Sequence, residues 1–401
     1  MSGMAYEMRP LESVGVAVLD CEHRTPPAQM HGYPYIAIPD IVDGRVDVSK
    51  ARLISPSDLA SWTRRTRPET GDILVTRRGR VGDTAPIPAG LTCAIGQNLV
   101  LLRSNGSRVD QRFLRWATTG LLWKSEVDRL INVGAVFSSL NVRDIARLRI
   151  PLPPIADQVA VADVLGAVDD KIATNERTTQ VAVSMADVEF ARAASDMLSG
   201  RATFEEVAEI GGGGTPTTSV DTYWNGGICW ATPTDVTGRK APYLSWTNRR
   251  ITEDGLAACS SRLYPKGSIL MTSRATIGAF AVARVPLAVN QGFIVVNAHD
   301  DINQWWLFHE MRARVDEFRT HANGATFLEL PRGKFKKIKL RKPTVAQARA
   351  FAEKVGSLHD LAAHLMAENE SLAATRDGLL PLLMLGRIRI HDAEKIVEEV
   401  V

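Results

Sequence analysis

The sequence holds only four cysteines, Cys21, Cys93, Cys229 and Cys259, with no CxxC pair among them. A disulfide framework needs closer and more numerous cysteines, so a reducing, cytoplasmic setting is expected. No apolar run approaches the roughly 18 residues that span a bilayer, so no membrane association is expected. Residues 1–10 carry Glu7 and Arg9 and no apolar core, which argues against a signal peptide. Neither sign of charge dominates: the net charge is +3, so the placement of basic residues carries more information than their sum. Catalytic signatures are missing as well. There is no GxxxxGK(S/T) phosphate loop, no GxSxG elbow and no HExxH helix. His23, His31, His299, His309, His321, His359, His364 and His391 do not combine with the cysteines at metal-ligand spacing, so no metal site and no catalytic residue are expected. Residues 211–214 are four glycines without a following Lys-Ser/Thr, which reads as a flexible loop rather than a phosphate cradle. Asp40, Asp47 and Lys50 have the wrong spacing for a nuclease carboxylate set.

What the chain does have is length for two or three domains, at 401 residues, and an ordinary globular balance of 45% hydrophobic and 23% charged residues. It also has one conspicuous stretch, residues 151–197. Pro151-Leu152-Pro153-Pro154 opens it, after which it contains no proline and one glycine, Gly166. Leu165, Val168, Ile172, Asn175, Thr179, Ala182 and Ala186 alternate at spacings of three and four, the seam of a helix that lies along another helix. At about 1.5 Å per residue, roughly 43 residues make a rod on the order of 60 Å long. Leu198-Ser199-Gly200 is the expected stop.

Before the rod, residues 1–150 read as a mixed α/β domain. Strands are expected at 33–38, 73–76 and 98–102, a turn within 41–46, a helix over 111–130, and a half-buried strand at 145–150. After the rod the pattern returns. Gly71-Asp72-Ile73-Leu74-Val75-Thr76 and Val81-Gly82 match Gly267-Ser268-Ile269-Leu270-Met271-Thr272 and Ile277-Gly278. Ala37-Ile38-Pro39-Asp40-Ile41 matches Ala231-Thr232-Pro233-Thr234-Asp235-Val236, and Thr25-Pro26 matches Thr215-Pro216. Residues 95–98 align with 289–292, and Asn132-x-Gly134-Ala135-x-Phe137 resembles Ala322-Asn323-Gly324-Ala325-Thr326-Phe327. Five pairs in one order at nearly one offset indicate a duplication. A second rod follows Pro343, with Ala348, Phe351, Val355, Leu358, Ala362, Leu365, Asn369, Leu372, Arg376 and Leu379 on its seam and Pro381 closing it. The layout is a domain at 1–150, a rod at 151–198, a domain at 199–343, a rod at 344–384 and a tail at 385–401. It is an α+β architecture: two homologous mixed α/β domains separated by two long helices packed as an antiparallel coiled coil, related by a pseudo-two-fold axis.

The candidate chemistry is recognition. Arg77, Arg78 and Arg80 follow one strand, and Thr272, Ser273 and Arg274 follow its duplicate. Arginine forks can read guanine edges, and Gln97, Asn98, Asn290 and Gln291 suit adenine. Arg64, Arg65, Arg67, Arg249 and Arg250 suit phosphates. The densest basic cluster, residues 332–342, includes Lys334, Lys336 and Lys337 interleaved with Phe335, Ile338 and Leu340, and reads as a final strand with one wet face.

The sequence Ile150-Pro151-Leu152-Pro153-Pro154-Ile155-Ala156-Asp157-Gln158, followed by Leu165, Asp169-Asp170-Lys171-Ile172 and Asn175, resembles the specificity (S) subunit, HsdS, of type I restriction–modification enzymes. Gly-x-Ile-Leu at 71–74 and 267–270, Thr215-Pro216 and Leu-Leu-Pro-Leu-Leu at 379–383 agree with it. The second rod departs, since Lys342-Pro343-Thr344 keeps one proline and Ala346-Gln347 only approximates the Ala-x-Gln. The resemblance implies two target-recognition domains that each read half of a split double-stranded DNA sequence, with Thr215 among the DNA-facing residues. It implies rods that fix the spacer and bind two methyltransferase subunits, and through them restriction and motor subunits. It further implies that this chain is not an enzyme and binds no cofactor, S-adenosylmethionine, ATP and Mg2+ belonging to the partners. A single-chain DNA methyltransferase would need an Asn/Asp-Pro-Pro-aromatic tetrapeptide, whereas Pro-Pro occurs only at 26–27 and 153–154, without those neighbours. A structural adaptor without a DNA role is separated from the specificity subunit by salt-sensitive DNA binding. Asn175, Thr179 and Ala182, small or polar on the seam, are expected to admit partner helices.

Overall fold

The computed structural model of the chain describes residues 6–133, 138–197, 200, 202–239, 241–299, 303–324 and 328–400. They form two compact units, Met1–Ile172 with Ser371–Val401, and Ala173–Glu370. The matches proposed at Gly134, Ala135 and Phe137 and at Ala325 and Phe327, and the stop at Leu198-Ser199, lie outside the described residues.

In the first unit the antiparallel strands Val16–Asp20, Leu99–Ser104, Ile73–Thr76 and Thr84–Pro86 lie side by side in that order. Their side chains alternate between two cores, as a strand's period of two requires. Ile73, Val75, Val100 and Leu102 pack with Phe113, Trp116, Leu165 and Val168 on one face. Leu74, Leu99 and Leu101 pack with Cys21, Ile36 and Ile95 on the other. With both faces covered, such strands read as unbroken apolar runs. A smaller sheet sets Arg52–Ile54, Tyr33–Ile36 and Ala94–Ile95 together.

The second unit repeats this plan. Ala208–Gly211, Phe293–Ala298, Ile269–Thr272 and Phe280–Ala283 take the same order, with Tyr243–Leu244 added at the edge in parallel to Phe280–Ala283. The smaller sheet is Arg249–Ile251, Trp224–Ala231 and Leu287–Val289. Ile269, Met271, Ile294 and Val296 face one core, and Leu270, Phe293 and Val295 the other. The duplicated glycines are steric necessities. Gly82 and Gly278 have φ of +86° and +89°, and a Cβ there would run into Val127 and Val315 respectively.

The first long helix is Ile155–Ala193. Its start is tied down by Gln158, which is buried, accepts from Asp110 N at 2.9 Å and donates to the carbonyls of Arg108 and Pro153. The second long helix, Val345–Met384, starts with Thr344 and Gln347 capping one another. In the first unit, Leu165, Val168 and Ile172 share a core with Leu372, Leu379, Leu380 and Leu383. In the second unit, Asn175 donates to Asn369 Oδ1 at 2.9 Å and to Glu368 Oε2 at 2.8 Å, and Glu189 pairs with Lys354. Rising numbers on one helix meet falling numbers on the other, so the two run antiparallel there. Phe351 and Val355 are buried with Phe190 and Trp306, Leu358 packs partly buried on the same cluster, and Leu365 is half-buried.

Each domain–helix junction is held by a buried glutamate. Glu126 accepts from Arg149 N and its guanidinium and from Arg129. Glu310 does the same for Arg341 N and its guanidinium and for Arg314.

Several sequence expectations change. The helix over 111–130 is two, Gln111–Ala117 and Gly120–Leu130. Residues 145–150 are not one strand: the helix Val142–Ile145 is followed by the short strand Arg149–Pro151, which pairs with Met8–Pro10. The basic cluster is likewise a helix turn, Arg332–Lys336, before a two-residue strand, Lys339–Leu340. Pro381 does not close the second helix, which continues through it to Met384 with Leu380, Leu383 and Met384 buried. That burial outweighs the roughly 3 kcal/mol that an internal proline costs. The tail contains the helix Ile390–Glu398, with Ala393 and Val397 in the first unit's core. The four glycines are a packed crossing rather than a flexible loop. A side chain at Gly213 would meet the carbonyl of Val289, and one at Gly211 the hydroxyl of Tyr264.

Candidate nucleic-acid interface

Backbone hydrogen bonds gather the loops at one edge of each unit. In the first, Arg77 N donates to Asn98 O, Leu140 N to Arg77 O, and Gly96 N to Ile36 O. The loops at 37–40, 77–80, 96–98 and 138–140 are thereby neighbours. In the second, Ser273 N donates to Gly292 O, Leu330 N to Ser273 O, and Asn290 N to Ala231 O. The loops at 232–235, 273–274, 290–292 and 328–330 meet in the same way. The frame is one set of main-chain bonds used twice; it presents Arg78 and Gln97 again as Arg274 and Gln291, and exchanges Arg80 for Thr276 and Asn98 for Gly292.

A proline turn anchors each edge. In the first, Asp40 Oδ2 accepts from Ala37 N at 2.7 Å, and burial raises the Asp40 pKa against that bond. In the second, Asp235 Oδ2 accepts from Thr232 N at 2.8 Å and Oγ1 at 2.7 Å. Asp40 is thus a turn anchor, in keeping with its exclusion as a nuclease carboxylate.

In the first unit, Arg78, Arg80 and Gln97 are exposed and Asn98 is half-exposed. Arg77 is spent on the frame: it is 16% exposed, donates to Leu140 O and lies 3.9 Å from Asp20. Arg80 donates to Ile38 O at 2.7 Å and to Ile41 O, and pairs with Asp83, so it braces the hairpin Ile41–Val42/Arg45–Val46. Arg78 and Gln97 form no side-chain hydrogen bond or ion pair among the described residues. Gln97 and Asn98 line a cleft of about 310 Å³ with Thr25, Lys50 and Arg52. Lys50 and Arg52 were not among the sequence candidates. The only signal for them was position, Arg52 on the strand Arg52–Ile54 and Lys50 in the turn before it.

In the second unit, Arg274 and Gln291 are exposed. Thr215 Oγ1 donates to Gln291 Oε1 at 2.7 Å, joining two loops 76 residues apart. Arg274 pairs with Glu329 at 2.9 Å, the two side chains 44% and 43% exposed. Thr232 and Thr234, absent from the sequence candidates, add hydroxyls 2.8 Å apart. Asn290 turns back, its Oδ1 accepting from Gly292 N at 2.8 Å. Thr272 and Ser273 are corrections. Both are buried, and Thr272 Oγ1 donates to Thr276 O and accepts from Ala279 N, as Thr76 does with Arg80 O and Asp83 N. Thr272 closes the hairpin, the Ser273 main chain joins the loops at Gly292 and Leu330, and neither side chain is presented outward. Lys334 binds Asn323 Oδ1 at 2.9 Å, Lys337 is exposed and Lys336 half-buried. Arg249 lies 3.6 Å over Trp224, a stacked position on the smaller sheet.

The edges therefore offer arginine forks, amides and hydroxyls on rigid backbone, the inventory that meets phosphates and base edges. One His–Cys grouping does form, against the sequence expectation: Asp20, Cys21 and His23 hold their polar atoms within 4.8 Å. The Cys21 thiol donates to Gly96 O at 3.2 Å, and burial, with Asp20 beside it, raises its pKa to about 11. That disfavours the thiolate a metal would require. No helix among the described residues is long and apolar enough to cross a membrane.

Asn175, Thr179 and Ala182 face inward and are buried within the second unit, so they do not present a surface to partner helices. The outward stripe on the same helix is Val181, Met185 and Val188, 57%, 52% and 67% exposed.

Comparison with known proteins gives one consistent answer. The family model for the type I restriction modification DNA specificity domain matches twice, at residues 25–183 and 202–354. The type I restriction enzyme MjaIX specificity subunit of Methanocaldococcus jannaschii is 34% identical over 170 residues, 42% of this chain and 39% of its own length. The match therefore spans about two fifths of that relative. The putative type I restriction enzyme MjaX specificity subunit of the same organism is 21% identical over 387 residues, 90% of this chain and 88% of the relative. The crystal structure of the type I restriction-modification system S subunit from M. genitalium shares the fold, with a TM-score of 0.56 over 96% of this chain and 97% of that one at 15% identity. With both repeats matched by the family model, the chain belongs to the type I restriction modification DNA specificity family.

Proposed function

We propose that this chain is the DNA sequence-specificity subunit of a type I restriction–modification complex, reading a bipartite double-stranded target with one edge per unit. The observation that carries this is the twice-used main-chain frame, which keeps Arg78 and Gln97 in one copy as Arg274 and Gln291 in the other but exchanges the side chains around them: Arg80 for Thr276, Asn98 for Gly292 and Pro39 for Thr234. A conserved support with exchanged contacts suits two readers of unlike half-sites. Two linked readers also gain affinity, because the second binds at high effective concentration once the first is docked.

Catalysis lies with partners in this reading. Two methyltransferase subunits use S-adenosylmethionine, and restriction and motor subunits use ATP and Mg2+. The stripe Val181, Met185 and Val188 is a docking place for a methyltransferase subunit, since an exposed apolar row on a rigid helix accepts a partner helix.

Methylation mapping of a host with and without the gene tests the reading: a single split motif should disappear with the gene. In the assembled complex, Arg274→Ala should cost about 1–3 kcal/mol of discrimination at one half-site only. Equal loss at both halves would count against two independent readers, and binding insensitive to salt would count against a DNA role.

A further inference from the structure

The second unit buries a row of titratable side chains away from its polar edge. Asp187, on the first long helix, accepts from His309 Nδ1 at 2.7 Å and from Arg312 Nη2 at 2.7 Å. His309 Nε2 lies 2.9 Å from His359 Nε2, and His359 Nδ1 lies 2.6 Å from the Tyr243 hydroxyl. His309, His359 and Tyr243 are each 1% exposed or less. Trp305 stacks on His359 with ring centres 3.8 Å apart. Four elements meet in this row: the first long helix, the helix Asn303–Ala313, the second long helix and the edge strand Tyr243–Leu244.

Counting protons fixes the direction of the row. A carboxylate only accepts, so His309 donates from Nδ1. Two facing Nε2 atoms can share only one proton between them. If both rings are neutral, His359 donates from Nε2 to His309, and Tyr243 donates its hydroxyl to His359 Nδ1. Every donor and acceptor in the row is then used once.

We propose that Asp187, His309, His359 and Tyr243 are positioning residues: one proton-ordered chain that fixes the second unit's sheet to both long helices. The consequence reaches the polar edge through the sheet. Tyr243–Leu244 pairs with Phe280–Ala283, which leads back through the hairpin to Arg274. This functional consequence rests on the DNA-reading proposal; the proton order does not.

The surroundings keep both rings neutral. Burial lowers the His309 pKa against the pull of Asp187, whose charge Arg312 also offsets. Burial, then the neighbouring His309, lowers His359 to about 3, with Arg312 and Arg284 adding to the effect and Asp187 opposing it. Asp360 on the second long helix and Arg284 after the strand Phe280–Ala283 are the other charges acting on Tyr243. Unfolded histidines protonate near 6.5. The chain's contribution is therefore fully present above about pH 6.5 and is lost as pH falls toward about 3, with unfolding taking up about two protons.

Selective 15N-histidine NMR on the full-length protein tests the order. His309 should carry its proton on Nδ1 and His359 on Nε2; His359 should not titrate between pH 7.5 and 5.5, and His309 should titrate below its ordinary value. A ring titrating near 6.5, or the reverse tautomers, would overturn the proposal. Tyr243→Phe removes only the last donor. In the assembled complex it should reduce discrimination about tenfold at one half-site and leave the other unchanged. Equal reduction at both, or none, overturns the positioning role. If Tyr243→Phe does not assemble, the wild-type NMR decides. A wild-type complex without any half-site preference sinks the DNA-reading proposal instead, and leaves the proton order to the NMR.

Discussion

Glu126 and Glu310 hold the arginine at the foot of a long helix, yet they reach it from helices at unlike places in the two copies. Burial alone would raise the Glu126 pKa; the hydrogen bonds from Arg149 and Arg129 outweigh it and bring the carboxyl to about 2. A lowered carboxylate pKa means stability that is present above the ordinary value of about 4.5 and lost as pH falls toward 2. Glu126→Gln should therefore cost about 2 kcal/mol in urea unfolding at pH 7, between a surface and a buried pair because both arginines stay partly wet. Its stability should also fall less than wild type between pH 4.5 and 2; an identical acid profile would refute the assignment. At this scale the sequence was least informative. Arg274 and Thr272 stand two residues apart, and nothing in their type says that one hydroxyl turns inward to receive Ala279 N while the guanidinium turns out. His309 and His359 meet from 50 residues apart, and their partners from further still, so no local spacing announced the chain they form.

The long helices were the most legible elements. Leu165, Val168, Ile172, Asn175, Thr179, Ala182 and Ala186 are all buried, because a repeating apolar seam records which face a helix hides. Short elements lost that record. Over residues 145–150 an alternating pattern covered the end of one helix turn and the start of a strand, since two or three residues cannot distinguish the two periods. The tail is silent in the sequence for the opposite reason: its apolar positions, Ile390, Ala393 and Val397, have helical spacing but are too few to mark a helix by themselves. The docking of the tail helix has a measurable consequence. A chain ending at Gly386 loses Ile388, Ala393 and Val397 and uncovers the part of the first unit's core they cover, so that unit should lose about 3 kcal/mol and bind a hydrophobic dye more strongly. Unchanged unfolding would show that the tail helix contributes no packing.

For the whole molecule, the duplication was readable because steric requirements preserve it: Gly82 and Gly278 cannot carry side chains, and Thr76 and Thr272 close the same hairpin. If the helices set the spacer, seven residues added after Asn175 and seven before Asn369 lengthen both by about two turns, roughly 10 Å. Methylation should move to a target with the same half-sites and a longer gap; retention of the original gap would exclude the helices as its measure. The division into units has one more effect, which concerns birth rather than binding. The second unit is a single run, Ala173–Glu370, whereas the first needs both Met1–Ile172 and Ser371–Val401. On a ribosome, a chain emerging from its first residue onward thus has the complete material for its second unit earlier than for its first. The opening domain waits, its core lacking Leu372, Leu379 and the helix Ile390–Glu398, until those residues have left the tunnel.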